Sequence, residues 1–266
     1  MCEANVFIYR GGREEMLMEK VDRVIPGEDD TILLESIFGE RKIVKGRIRE
    51  MELVHHRIIL DEIREPVLNQ ESEIWLEPNT SHGHFHEGEE VILKLYKGYN
   101  MHPADKMEFS NPHAFVVSDG VTREVDIKDH HGAMTVNLGH ENDGLVQVYV
   151  QEHGPVRLLA KIVMEVGHHH HHGLEPVGLP LEIIPCDFSH AHMGENYEVQ
   201  VLKEGKPLSG VEVRVTYTST KNRDYPHRLT TNEEGKARIF LTAKGNYLFS
   251  VSSDNTVSTF TLVKSF

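Results

Sequence analysis

The apolar residues of this chain fall in short runs at strand spacing, and each run stops at a turn signal. Val6-Phe7-Ile8-Tyr9 ends at Arg10-Gly11-Gly12, and Thr31-Ile32-Leu33-Leu34 follows Pro26-Gly27-Glu28-Asp29-Asp30. Apolar runs recur at 91–96, 114–117, 134–138, 145–150 and 158–163, with Asp119-Gly120 and Asn142-Asp143-Gly144 supplying tight turns. Beyond residue 190 the period-2 alternation sharpens, as in Tyr197-Glu198-Val199-Gln200-Val201 and Val211-Glu212-Val213-Arg214-Val215. No capping box leads into an apolar run of helical period. Residues 13–19 read as readily as a strand as a helix turn. The fold class this predicts is all-β.

Three units follow from the punctuation. Residues 1–62 carry strands of four to seven residues, as in a small, strongly curved sheet or barrel. A unit of that size is marginal alone, so dimerisation would help it. A linker rich in charged and amide residues runs over 61–73. Residues 73–173 form a β-sandwich with His-rich loops. Residues 178–266 form a sandwich of about seven strands of the Ig or transthyretin type.

Composition narrows the function. The net charge of −14 argues against nucleic acid, which needs a clustered basic surface. It suits the gathering of cations, and equally a plain soluble protein. Two cysteines, Cys2 and Cys186, make no disulfide framework. No apolar run approaches the ~20 residues of a membrane span. The start, Met1-Cys2-Glu3-Ala4-Asn5-Val6, has no basic and no apolar region of a signal peptide. A cytoplasmic location with Cys2 reduced is the expectation.

Nineteen histidines stand in 266 residues, sixteen of them between His82 and His192. Neutral imidazole is the commonest side-chain ligand for Zn, Ni, Cu and Co. His82, His84 and His86 have strict period 2. If extended, neighbouring rings share a face about 6.6–7 Å apart, and two can converge on one ion. Glu87, His102 or His113 could complete that set, and exposed loop histidines are the alternative. His168, His169, His170, His171 and His172 can bind through any i, i+2 or i, i+4 pair, as a flexible, low-specificity ion catcher. His190 and His192 repeat the i, i+2 spacing near Cys186, which is otherwise an inert thiol. His55-His56 and His130-His131 read as surface or turn residues.

Two resemblances add to this. Met1-Cys2-Glu3-Ala4-Asn5-Val6, Met18-Glu19-Lys20-Val21-Asp22 and the stretch Ile37-Phe38-Gly39-Glu40-Arg41-Lys42-Ile43-Val44-Lys45-Gly46-Arg47-Ile48 resemble the CooT family of small nickel-binding accessory proteins. That resemblance implies a cytoplasmic, β-rich homodimer formed through the N-terminal domain, with Cys2 as the nickel ligand. From about Glu73 onward the chain looks like the NikM-like family associated with nickel and cobalt uptake. Gly178-Leu179-Pro180-Leu181-Glu182-Ile183-Ile184-Pro185, Gly205-Lys206-Pro207-Leu208 and Gly245-Asn246-Tyr247 carry the likeness. These are turn and strand signatures, so they speak to fold more than to chemistry. No ligand is carried over from that family.

Cys2 also has a chemistry of its own. If Met1 is removed, the α-amino group, the next backbone nitrogens and the thiolate lie within chelate-ring distance, a donor set suited to Ni, Cu or Zn. A small residue that merely begins a strand is the alternative. No HExxH, G-x-S-x-G or phosphate loop is present. His84, His86 and Glu90 imitate part of a cupin motif that lacks its leading glycine and partner motif. The chain therefore reads as a non-enzymatic Ni(II)-binding protein that stores or delivers the ion to a nickel enzyme or a transporter component. Co(II), Zn(II) and Cu(II) fit the same donors. The alternatives are an interaction module of a nickel/cobalt transport system, or a non-specific metal buffer.

Overall fold

The computed structural model describes residues 3–10, 13–27, 31–52, 54–62, 72–79, 84–130, 133–167, 174–186, 193–218, 220–222 and 224–263. Every regular element among them is a strand, as the punctuated alternation requires. The chain divides into two compact units, 1–69 and 70–266.

The first unit is a closed five-stranded barrel of β1 (Ala4–Arg10), β2 (Arg13–Pro26), β3 (Thr31–Ser36), β4 (Arg41–Glu52) and β5 (Arg57–Glu62). Neighbours are antiparallel except for the closing pair, where β1 runs parallel to β5 from Asn5 opposite Arg57 to Tyr9 opposite Asp61. Residues 13–19, ambiguous in sequence, belong to β2. So small a barrel needs sharp strand curvature, and register shifts supply it at 4–7, 21–23 and 48–50. Gly46 is needed where β4 crosses β5, because a Cβ there would lie 2.8 Å from the Asp61 carbonyl oxygen. Val6, Met18, Val21, Ile32, Leu34, Ile58 and Leu60 fill the interior. Outside, Phe38, Ile43 and Val54 are 76%, 72% and 87% exposed.

The second unit begins with β6 (Glu73–Pro78), β7 (His84–Phe85), β8 (Val91–Tyr99), β9 (His102–Pro103), β10 (His113–Ser118), β11 (Val121–Val125), β12 (Ile127–His130), β13 (Ala133–Gly139), β14 (Gly144–Glu152) and β15 (Arg157–Val166). It continues with β16 (Leu181–Pro185), β17 (Asn196–Lys203), β18 (Lys206–Pro207), β19 (Glu212–Tyr217), β20 (His227–Thr230), β21 (Lys236–Phe240), β22 (Tyr247–Ser253) and β23 (Thr256–Leu262). A central sheet runs β11-β10-β14-β15-β23-β22-β19-β20. Its middle is the parallel pair β15–β23, Arg157 opposite Thr256 through Ile162 opposite Thr261. Where β23 ends, β7 takes over the same edge of β15, with His84 opposite Glu165 and Phe85 opposite Val166.

The central sheet is covered on both faces. Leu158, Ala160, Ile162 and Met164 of β15 pack with Ile74, Leu76, Leu93 and Val136 of the sheet β12-β13-β8-β6. Leu159 and Val163, with Phe249 and Phe260, pack with Ile183, Val199, Val201 and Ile239 of the sheet built on β16, β17 and β21. The strict alternation of a strand divides β15 between the two cores, so seven of its ten residues are apolar. The tight turns follow sequence: Asp119-Gly120 and Glu204-Gly205 both have positive φ at two successive residues, the mirror-image hairpin turn.

Two buried polar clusters interrupt the apolar layers. On one face, Lys161 and Glu182 are each 1% exposed and pair at 2.5 Å. Glu182 also accepts the backbone N–H groups of Val177, Gly178 and Leu179 at 2.9, 3.0 and 3.2 Å, fixing the segment that leads into β16. On the other face, Glu73 is fully buried. Tyr225 and Ser250 hydroxyls donate to its two oxygens, each at 2.6 Å; the Asn100 N–H donates at 3.1 Å, and Arg214 lies 3.2 Å away. Burial pushes the Glu73 carboxyl up, against the opposing pull of Arg214 and the three hydrogen bonds. It pushes the Tyr225 phenol up too, reinforced by Glu73.

Removing Arg214 leaves a buried carboxylate without its cation, so Arg214→Ala should destabilise the second unit by about 3–5 kcal/mol in urea unfolding. Glu73 titrates above the ordinary 4.5 in the folded state. Its stabilising contribution is therefore complete below 4.5 and is lost as pH rises through the folded value. Glu73→Gln should accordingly gain stability relative to the parent protein as pH rises above 4.5. A constant difference between the two from pH 4 to 8 would refute this linkage.

Candidate metal-binding region

Two turns that each carry a histidine, His86 and His140, meet at one end of the central sheet. Phe85 is fully buried and anchors β7 in the apolar layer. Gly167, just past β15, donates its N–H to the Phe85 carbonyl at 2.8 Å. His86 follows on an exposed turn closed twice: its own N–H donates to Glu89 Oε2 at 2.9 Å, and the Glu89 N–H donates to the His86 carbonyl at 3.0 Å. Gly88 takes the positive φ that this turn needs.

His140, on the turn between β13 and β14, reaches the same place. Its Nδ1 lies 3.0 Å from the Gly88 carbonyl oxygen. A carbonyl can only accept, so Nδ1 carries a proton, and in the neutral ring the lone pair is then on Nε2. A ring held by one N–H to a carbonyl is the arrangement that metal-ligating histidines use. The ladder also sets Gly144 opposite Val166, so the 139–144 turn, the His86 turn and the departure of the chain toward residue 168 lie side by side. In sequence His140 stands out only in His140-Glu141, which lacks the second histidine of HExxH. The available signal was its place in a short turn between two strands, with no apolar neighbour to bury it.

Of the other sequence candidates, Cys2, His82, His168, His169, His170, His171, His172, His190 and His192 lie outside the described residues, and so does His131. His84 is placed by its backbone in β7. The three residues offered as further ligands go different ways. Glu87 is exposed on the His86 turn. His113 has both nitrogens engaged: Nδ1 is 2.7 Å from Glu124 Oε1, and Nε2 is 2.9 Å from Asn111 Nδ2. Asn111 Nδ2 can only donate, so Nδ1–H donates to Glu124 and no lone pair is left. His102 lies at the far end of β8, its Nε2 2.9 Å from the Asn222 carbonyl. His55 faces Glu52 at 3.8 Å, and the His56 carbonyl accepts the Asn5 N–H at the barrel seam. Among the described residues no three His, Cys, Asp or Glu side chains converge as a metal site.

Cys186 follows β16, and its N–H donates to the Glu198 carbonyl at 3.0 Å. Desolvation first, and Glu198 second, push its thiol up to about 11, although Lys236 and Arg238 oppose them. A metal bound there would have to displace the proton.

Residues 1–61 match the family model of the CO dehydrogenase accessory protein CooT. Residues 72–255 match a domain of unknown function, DUF4198. No curated protein matches the chain. A CooT structure from Carboxydothermus hydrogenoformans is 49% identical over 24% of this chain and 100% of its own, with a TM-score of 0.23. The D0-D1 domain of intimin is 18% identical over 73% of this chain and 98% of its own, with a TM-score of 0.24. Salmonella alpha-2-macroglobulin reacted with methylamine is 13% identical over 88% and 18%, with a TM-score of 0.25. TM-scores this low establish no shared fold, and the CooT assignment rests on sequence. The class is an all-β protein that joins an accessory domain to a larger β unit. The chain belongs to the CooT family through residues 1–61 and to the DUF4198 family through residues 72–255.

The raised Cys186 thiol has a direct consequence. At pH 8 only about one part in a thousand is thiolate, roughly two hundredfold below an ordinary cysteine. In a Cys2→Ser background, iodoacetamide labelling of Cys186 followed by mass spectrometry should be slow at pH 8 and rise about tenfold per pH unit toward pH 10.

Proposed function

We propose that the protein binds Ni(II) as cargo and holds it for delivery to a nickel enzyme, with CO dehydrogenase the recipient that the N-terminal match suggests. The observation that carries this reading is the CooT domain, 49% identical to a CooT structure over that structure's whole length. Cys2 is the specific ligand in this reading: a soft thiolate beside the chain's own nitrogens favours a tetragonal Ni(II) site. The exposed apolar residues Phe38, Ile43 and Val54 of the barrel support a homodimer formed through the N-terminal domain. A reducing cytoplasm would keep Cys2 a thiol.

The histidines of the second unit supply capacity rather than specificity. His82, His84 and His86, the 168–172 run, and His190 with His192 are the ligands of this looser store. The neighbouring turns of His86 and His140, beside the exit toward residue 168, support a store gathered at one end of the sheet. Imidazole donors fit Ni(II), and they accept Co(II), Zn(II) and Cu(II) as well.

A second reading makes the larger unit an interaction module of a nickel/cobalt transport system. What favours it is the resemblance of the turn signatures after residue 178 to the NikM-like family. It requires no stoichiometric metal in the second unit.

Calorimetric titration with Ni(II) separates these readings, using protein purified without a nickel column. Cys2→Ala should abolish the tightest step and leave weaker sites. Replacing the 168–172 run by serine should lower the stoichiometry and leave the tightest step intact. If Cys2→Ala leaves that step unchanged, the delivery mechanism is wrong. If the second unit binds no Ni(II), the module reading takes its place.

A further inference from the structure

At the opposite end of β15 from the histidine turns, three turns and the start of β16 enclose a cleft of about 370 Å³. The turns are β14–β15, β17–β18 and β22–β23. They are tied to one another rather than merely adjacent. Arg157 donates its N–H to the Asn255 carbonyl at 2.8 Å, and Glu204 donates its N–H to the Pro180 carbonyl at 2.9 Å. Lys203 Nζ reaches Asp254 Oδ2 at 2.5 Å and Ser253 Oγ at 3.3 Å. The charges of Lys203 and Asp254 thus satisfy each other, and the walls are held in place without a ligand.

Arg157 is the exception. It lines the cleft, it is half-buried, and its guanidinium has no hydrogen bond or ion pair among the described residues. The other arginines of the second unit with described side chains are all engaged. Arg214 pairs with Glu73, Arg228 with Asp224 and Glu212, and Arg238 with Glu198; Arg123 donates to Leu138 and Asn142. In a chain with 42 acidic and 28 basic residues, an arginine without an acid inside a concave wall is an unfilled position. His153, beside it on the lining, likewise has no side-chain partner among the described residues.

We propose that this cleft binds a small carboxylate, held by the Arg157 guanidinium. The planar fork of arginine matches a carboxylate with two parallel N–H···O bonds. Ser253 Oγ accepts from Lys203, so its own proton is available to the ligand, and the Asn255 amide and Thr256 hydroxyl lie on the same wall. The volume suits a small molecule, at the lower end of ligand pockets. Glu204 lines the cleft without a cation partner, which disfavours a multiply charged phosphate. The site is independent of the metal reading, since it shares no residue with the histidine turns.

The test is amide-resolved NMR titration of the full chain with the monocarboxylate butyrate at low ionic strength, with inorganic phosphate as a second arm. Butyrate should shift the amides of His153, Gly154, Val156, Arg157 and 253–256 and saturate with a dissociation constant in the low-millimolar range or tighter, roughly 1–5 mM. Arg157→Gln should weaken this at least tenfold, and Arg157→Lys by less, because it keeps the charge and loses the fork. Thermal melting checks that these variants fold. His153→Gln, in an exposed turn, should weaken binding about threefold and serves if the arginine variants fail to fold. Absence of saturating shifts up to about 20 mM, or equal affinity in Arg157→Gln, would overturn the site. Phosphate binding as tightly as butyrate would overturn the carboxylate assignment.

Discussion

A strand covered on both faces has no solvent side on which to place polar residues. β15 is such a strand, and the second unit is organised around that constraint. Its alternate residues feed two separate cores, so each flanking sheet depends on the same ten residues for its inner wall. Of its three charged residues, Arg157, Lys161 and Glu165, Lys161 sits mid-strand where an ammonium would otherwise be stranded, and Glu182 neutralises it. Burial of Lys161 pushes its ammonium pKa down and Glu182 pulls it back up. An ion pair so enclosed adds little net stability over an apolar pair, but losing one partner is severe. The pair ties β16 to β15 across the two sheets at one point, since sliding either strand would part the two charges.

The Glu73 cluster does similar work on the other face. There the central sheet extends past the end of the covering apolar layer, and β19 and β22 present Arg214 and Ser250 instead of hydrocarbon. A carboxylate at the first residue of β6 is what those groups require. The Thr259 hydroxyl, donating to the Ile74 carbonyl at 2.6 Å, carries the polar seam onward along β6. Both faces of one sheet are thus fixed by polar contacts at defined points and filled by apolar contacts elsewhere.

Local structure was legible in the sequence wherever a local cause produces it. Turn residues marked the hairpins, period-2 alternation marked the strands, and the opening segment with its later pieces marked the CooT domain. The parallel ladder between β15 and β23 has no local signature, because parallel partners are joined by distant chain and share no turn. Glu73 looked like the end of a charged linker, since its burial depends on residues 27 to 177 positions away. His140 became visible only through the Gly88 carbonyl that orients it. The cleft at Arg157 was illegible for the same reason: an unpaired arginine in a list of charges looks like any other. On the metal side, the clusters that stood out in sequence are largely those beyond the described residues.

The closing contacts of the second unit join residues 74 and 259, 73 and 250, and 157 and 256. During synthesis, the first of these partners leaves the ribosome long before the last. The barrel has all its staves by residue 62 and can close while the rest is still being made. The second unit must wait, with the apolar face of β15 uncovered along one edge, until its final strand arrives. Folding dominated by such non-local pairing is slow and exposes strand edges to other chains. A newly made molecule therefore passes through an interval in which a finished barrel is tethered to an unfinished sheet.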